Sequence, residues 1–187
     1  VARDERVEPT DGLAGVPDGY ERLWTPHRMV YIQGQDKPTG PGAELCPFCR
    51  AAAGPDPDGL VVARGVTTFA LLNLYPYNSG HLMVVPYRHV SGLLELTPDE
   101  ADELSAMTRA ALVALRAAMD PQGFNLGMNL GQVAGAGIAA HLHQHVVPRW
   151  SGDANFLPIV ARTKALPELL ADTRSRLVAA WPTGTAP

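Results

Sequence analysis

Residues 141–148 read His-Leu-His-Gln-His-Val-Val-Pro, and this stretch constrains the fold of the chain more than any other. Side chains in a β-strand alternate between its two faces, so a strand here projects His141, His143 and His145 from one side and Leu142, Gln144 and Val146 from the other. Packing alone gives no reason to align three titratable rings. Solvent-facing histidines on an ordinary strand are the bland alternative. The row is better read as a surface made for chemistry.

The segments around it spell out an α+β domain. LVVAR (60–64), TFALLNLY (68–75) and GHLMVVP (80–86) are short β-branched or aromatic runs punctuated by Gly, Pro and Asn, which predicts three neighbouring antiparallel strands. Thr97-Pro98-Asp99-Glu100 is a helix start with Thr as N-cap, Pro in the first turn and Glu placed to complete a capping box. The helix is expected to run to about Met119, burying Leu104, Met107, Ala111, Leu115 and Ala118 as one stripe. Asp120-Pro121 ends it. Phe124–Leu130 and His141–Pro148 are the fourth and fifth strands, joined by a Gly/Ala-rich loop, and a last helix spans Pro167 to about Trp181.

Residues 1–59 carry eight of the 17 prolines and no sustained periodicity, so they read as irregular. Residues 1–45 are assigned to an N-terminal arm, 46–181 to one folded domain and 182–187 to a frayed tail. Within the arm, Leu23–Ile32 carries apolar and aromatic residues suited to packing, with His27 and Arg28 as remote candidates for reaching a phosphate. The net charge is −4, so no global positive field advertises a nucleic acid polymer or an anionic membrane. No apolar run is long enough to span a bilayer and the N-terminus lacks an apolar leader core, which predicts a soluble cytoplasmic chain.

A neutral imidazole offers a lone pair on one nitrogen when the other holds its proton against a fixed acceptor, and His143 is the central ring of the row. Phosphate is the natural electrophile, because its developing charge needs several donors. Those donors can come from N129-L-G-Q-V-A-G-A-G-I138, whose glycines let backbone N–H groups approach an anion and whose Asn129 adds a side-chain amide. The competing reading of that loop is a flexible connection. A second function class has His141, His143 and His145 jointly holding a catalytic zinc, and a third is a nucleotide-binding protein without turnover. The two cysteines, Cys46 and Cys49 in C-P-F-C, point to metal or redox chemistry in a reducing compartment.

The run H-L-H-Q-H-V-V resembles the signature of the histidine triad superfamily, with Gln144 departing from its apolar spacers. F69-A-L-L-N73, N78-S-G-H81-L-M-V-V-P86, and N-L-G-Q-V-A-G-A-G-I with V-V-P-R-W are similar to the branch of bacterial diadenosine tetraphosphate phosphorylases and related hydrolases, over roughly residues 46–156. The resemblance implies a five-stranded antiparallel sheet with a long helix and a C-terminal helix, paired into a homodimer in which the long helix lies at the interface. It implies cleavage at a nucleotide α-phosphate through a nucleotidyl-histidine on His143, with phosphate or water as acceptor. A nucleoside phosphoramidate hydrolase is the alternative within the family. By the same resemblance His145 contacts the phosphate or leaving group, His81 supports the triad, and Asn73 lies by the ribose. Asn129, Gly135, Ala136 and Gly137 would line the phosphates. Many relatives carry Ser or Thr where Gly137 stands, leaving that role here to backbone or water.

The cysteine pair supplies half of a tetrahedral zinc shell. Some bacterial members of the family complete such a shell with histidines, which implies His89 and the first triad histidine, His141, as the remaining ligands of a structural zinc. No organic cofactor is expected.

Overall fold

The computed structural model describes residues 46–153 and 168–183. The arm, with Leu23–Ile32, His27 and Arg28, lies outside the described residues, as do the expected helix start at Pro167 and residues 184–187. The described elements are α1 (Pro47–Ala53), β1 (Val61–Arg64), β2 (Thr68–Leu72), β3 (Leu82–Pro86), α2 (Pro98–Met119), β4 (Gly123–Met128), β5 (Gln144–Arg149) and α3 (Leu170–Ala180). The five strands make one sheet in the order β1-β2-β3-β5-β4, and every neighbouring pair is antiparallel.

Both faces of the central strands are covered. Every residue of β2 (TFALL) and β3 (LMVVP) is buried, which explains why these runs are continuously apolar rather than alternating. One face contributes Ala70, Leu72, Leu82, Val84 and Val146 to a cluster with Leu104, Met107, Ala111 and Leu115 of α2 and Leu177 of α3. The other face sets Phe69, Leu71, Met83 and Val85 against Cys46, Phe48 and Ala51 at the start of the chain's described part. Helix α1 falls within the stretch expected to be irregular. Pro at its first turn and the burial of Phe48 and Ala51 give it a reason to form.

Strand boundaries differ from expectation for local reasons. β1 starts one residue late because Leu60 sits at φ 56°. β2 stops at Leu72, since the Asn73 side chain accepts from Tyr75 N–H at 3.0 Å and turns the chain. β4 ends at Met128 rather than Leu130. β5 begins at Gln144, so His141 and His143 precede it. Leu142 N–H donates outside the sheet, to Val90 O at 2.6 Å, and the His141 ring is drawn toward the cysteines. The helix expected to Trp181 closes at Ala180.

Helix α2 forms as read. Thr97 Oγ1 accepts from Glu100 N–H at 3.3 Å while the Glu100 carboxylate accepts from Thr97 N–H at 2.8 Å, and Asp120 at φ 47° closes the far end before Pro121. Leu104, Met107, Ala111 and Leu115 of the expected stripe are buried and Ala118 is half-buried, and two carboxylates are buried with them. Glu100 takes a two-pronged ion pair from Arg88, with both distances 2.6 Å.

Glu103 accepts from the backbone of Val66 at 2.7 Å and Thr68 at 2.8 Å, and from Thr67 through both N–H and hydroxyl. Burial pushes its carboxyl up, but the donors from Thr67, Val66 and Thr68 outweigh that and hold it below the usual range. Gly65 is dictated by this clasp, because a Cβ there would lie 2.5 Å from the Glu103 carboxylate. Replacing Glu103 with Ala should lower stability by about 3 kcal/mol by orphaning the β1–β2 turn donors, read as a fall in the urea midpoint with an unchanged slope.

Candidate active site and metal centre

β5 lies between β3 and β4, with His145 directly opposite Met83 on one side and Gly127 on the other. Directly opposed residues share a face, and Met83 belongs to the cluster formed with Cys46 and Phe48. The reactive histidines therefore occupy the face away from α2. A Cβ on Gly127 would meet nothing within 4 Å, which leaves the space beside the His145 ring open.

The hydrogen bonds fix the imidazole tautomers in turn. Tyr77 N–H, a backbone donor that cannot reverse, points to His81 Nδ1 at 3.0 Å, and the Asn73 side-chain amide approaches the same nitrogen at 3.4 Å. His81 Nδ1 must then be an acceptor, so His81 Nε2 carries the proton and donates to His145 Nδ1 at 2.9 Å. His145 Nε2 consequently holds a proton directed away from this pair. His143 has the opposite polarity. Its Nδ1 lies 2.8 Å from the backbone carbonyl of His141, which accepts only, so Nε2 presents a lone pair. The His143 and His145 rings sit edge to face with centroids 4.9 Å apart, so a ring carrying an Nε2 lone pair neighbours one carrying an Nε2–H.

Burial keeps these rings neutral. It lowers His143 below the usual histidine range against the opposing hydrogen bond to His141 O, and it lowers His145, with help from neighbouring His143, to about 4. His145 Nδ1 has no room for a second proton while His81 Nε2–H occupies it.

The loop between β4 and β5 has the glycine conformations its sequence suggested. Gly131 at φ 83° and Gly135 at φ 88° adopt backbone that side chains disfavour, and Ala136 between them and the histidines is buried. The N–H groups of Gly135 and Ala136 donate within the loop, to Gln132 O at 2.9 Å and Gly131 O at 3.4 Å. The loop joins the site through His141 N–H, which donates to Ile138 O. Asn129 is half-buried at its start.

His141 faces elsewhere. Its Nδ1 lies 3.3 Å from Cys46 Sγ and 3.5 Å from Cys49 Sγ, and His89 Nδ1 lies 3.3 Å from Cys49 Sγ. The four donor atoms fall within 4.8 Å of one another. Ligands about 2.3 Å (sulfur) and 2.0–2.1 Å (nitrogen) from a tetrahedral ion stand about 3.5 Å apart, so this set fits a metal. The tautomer of His141 agrees, because Nε2–H donates to Pro86 O at 2.9 Å and leaves Nδ1 as a lone pair. Burial and the adjacent Cys46 push the Cys49 thiol up to about 11, so the pair stays as thiols unless a bound cation favours the thiolates.

Two residues that the sequence did not single out complete the geometry. The Phe48 ring packs 5.5 Å from His141 and 5.0 Å from His143, joining the metal ligands to the triad, and its place between the cysteines was the available signal. The Tyr77 ring lies 4.8 Å from His81 and 5.7 Å from His145. The expected site residues thus separate into two groups. His143, His145, His81 and Asn73 meet at one place, while Cys46, Cys49, His89 and His141 meet at another.

Residues 57–152 match the HIT domain family. The chain is 49% identical over 174 residues to the protein named AP-4-A phosphorylase of Mycobacterium tuberculosis, spanning 91% of this chain and 89% of the relative. Over 93 residues it is 33% identical to the asymmetrical bis(5′-nucleosyl)-tetraphosphatase of Schizosaccharomyces pombe, covering 50% of each protein. A solved Zn-bound histidine triad family protein from Mycobacterium smegmatis superposes with a TM-score of 0.60 at 25% identity, covering 74% of this chain and 94% of that one. With the family match spanning half of the chain, 49% identity across nine-tenths of it and the five-stranded antiparallel sheet, the chain belongs to the histidine triad (HIT) domain family.

Proposed function

We infer that this chain is a nucleotidyl transferase or hydrolase that cleaves a dinucleoside polyphosphate at a nucleotide phosphorus, with His143 as nucleophile. The observation that carries the reading is the His143 Nδ1–H···O=C bond to His141, which turns Nε2 into a lone pair beside the His145 N–H. His143 Nε2 forms a bond to phosphorus as the bond to the leaving phosphate oxygen breaks, and that oxygen takes the electron pair. His145 Nε2–H gives a hydrogen bond to the charge developing there, which needs no complete proton transfer for a phosphate leaving group. Phosphate or water then attacks phosphorus and frees His143.

Asn73, beside His81, serves the ribose in this reading. Asn129 and the Gly137 N–H meet the phosphates, the latter in place of the missing hydroxyl, while Gly135 and Ala136, whose own N–H groups donate within the loop, shape the turn. The similarity to a protein named as a phosphorylase favours phosphate as acceptor. A zinc held by the three triad histidines does not suit the geometry, because His141 Nδ1 faces the cysteines and His145 Nδ1 is engaged by His81.

Cys46, Cys49, His89 and His141 hold a structural zinc in this reading, supported by the donor geometry and the Zn-bound relative. When bound, zinc supplies no chemistry to the substrate; it fixes the start of the triad segment. A homodimer in the cytoplasm completes the picture. β4 is an edge strand with Leu126 exposed, and Val113 is exposed on α2.

Incubation with labelled diadenosine tetraphosphate followed by rapid quench should give an adenylyl adduct on the peptide carrying His143. The adduct is absent in His143→Ala, whose turnover falls by about a thousandfold or more. Nucleoside diphosphate released only in the presence of inorganic phosphate identifies phosphorolysis, and monophosphate released in water identifies hydrolysis. Parental turnover by the Ala variant sinks the assignment.

Because burial lowers His145 from 6.5 to about 4, neutral rings persist below ordinary histidine titration, and the acid limb of kcat/KM is expected below pH 6.5. The unfolded chain protonates first, so stability from this ring is complete above about 6.5 and is lost as pH falls toward about 4, visible in thermal melts across that range.

Metal analysis should find about one zinc per chain, lost in Cys46→Ser/Cys49→Ser with a fall of about 10 °C in the unfolding midpoint. Full zinc retention in that variant would move the ligand role to other residues.

A further inference from the structure

The Tyr77 ring lies against both members of the His81–His145 hydrogen bond, tilted 32° to the first and 35° to the second. His81 is fully buried and Tyr77 is 45% exposed, so the phenol ring lies on the solvent side of that bond. The same residue supplies the backbone N–H that sets the His81 tautomer. Its place is well determined. Asn73 turns the chain through Tyr75, and the buried Asn78 side chain, immediately after Tyr77, donates to Pro148 O at 3.0 Å and to Asp153 at 2.7 Å. The Asp153 carboxylate is in turn gripped by Arg149 at 2.6 Å.

We propose that Tyr77 is a positioning residue for the leaving-group side of the reaction: its ring holds the His81–His145 pair in register so that His145 Nε2–H meets the leaving oxygen. This rests on His143 being the nucleophile. The ring does not touch phosphorus. It keeps water from competing for His145 Nδ1 and fixes the tilt of the donor ring. Loss of the ring lets His145 tilt and water reach the His81–His145 hydrogen bond, so that Nε2–H is no longer aimed at the leaving oxygen, although the backbone N–H of residue 77 still sets the tautomers. The penalty grows with the charge left on the leaving oxygen, and therefore with the basicity of the leaving group. A tyrosine that merely stabilised its loop would slow all substrates alike.

The test uses adenosine 5′-phosphate aryl esters whose phenols span a range of acidity, with kcat and KM measured separately for the parent, Tyr77→Ala, Tyr77→Leu and Tyr77→Phe. For Tyr77→Ala, kcat should fall about tenfold with the least acidic phenol and less than about twofold with nitrophenol, with KM nearly unchanged. Tyr77→Phe, which keeps the flat ring, should match the parent. Tyr77→Leu, which fills the volume without it, should follow Ala and carries the test if Ala does not fold. Nitrogen-15 spectra of the histidine side chains should show the His81 Nε2–H···His145 Nδ1 hydrogen bond weakened in the Ala and Leu variants and intact in the Phe variant.

An equal loss across the ester series overturns the proposal, as does a rise confined to KM or an unweakened His81–His145 hydrogen bond in the Ala and Leu variants. The quenched adduct separates the two levels of failure. An adduct on His143 in every variant with no change in leaving-group dependence removes only the role of Tyr77. Absence of that adduct in the parent removes the nucleophile assignment beneath it.

Discussion

One backbone carbonyl organises the site. His141 O accepts the Nδ1 proton of His143, and this single bond decides which nitrogen of that ring carries a lone pair. A carbonyl is a dependable partner for that purpose, because it has no proton to give and does not titrate. Its position depends in turn on the His141 side chain, held by Cys46 and Cys49 at one ring nitrogen and by Pro86 O at the other. The residue is therefore divided between two tasks. Its ring belongs to the Cys46–Cys49–His89 cluster and its main chain belongs to the His143–His145 pair.

The two reactive rings acquire opposite polarity from opposite kinds of partner. His143 leans on an acceptor that never donates, and His145 leans through His81 on a backbone donor that never accepts. Burial then suppresses the protonated forms that would erase the distinction. The carboxylates in the described core lie elsewhere. Glu103 and Glu100 serve the β1–β2 turn and the start of α2, so no buried carboxylate among the described residues pulls protons onto the two rings.

The fold was legible where periodicity and capping chemistry agree. Thr97, Pro98 and Glu100 marked the start of α2, and the runs in β2 and β3 marked buried strands. The histidine row was legible as chemistry but not as geometry. Alternation put three rings on one strand face, whereas long-range attraction to Cys46 and Cys49 takes His141 away before the strand begins at Gln144. Glu103 was hidden because a carboxylate on a helix face ordinarily reads as solvated, and only tertiary structure brings the β1–β2 turn to it. Phe48 and Tyr77 were hidden for a related reason. An aromatic residue between cysteines or in a proline turn carries no mark of which imidazole it will touch.

Gly80, with φ 75°, sits immediately before His81, and a side chain there would collide with Met119 Sδ at 2.6 Å and Leu115 at 3.0 Å. Nothing larger than hydrogen fits between the last turn of the long helix and the main chain that delivers the supporting histidine. The helix bears no reactive group, yet its closing thioether serves as a stop against which the whole imidazole chain is gauged. Reactive spacing on one side of the sheet is thereby referred to steric contact on the other.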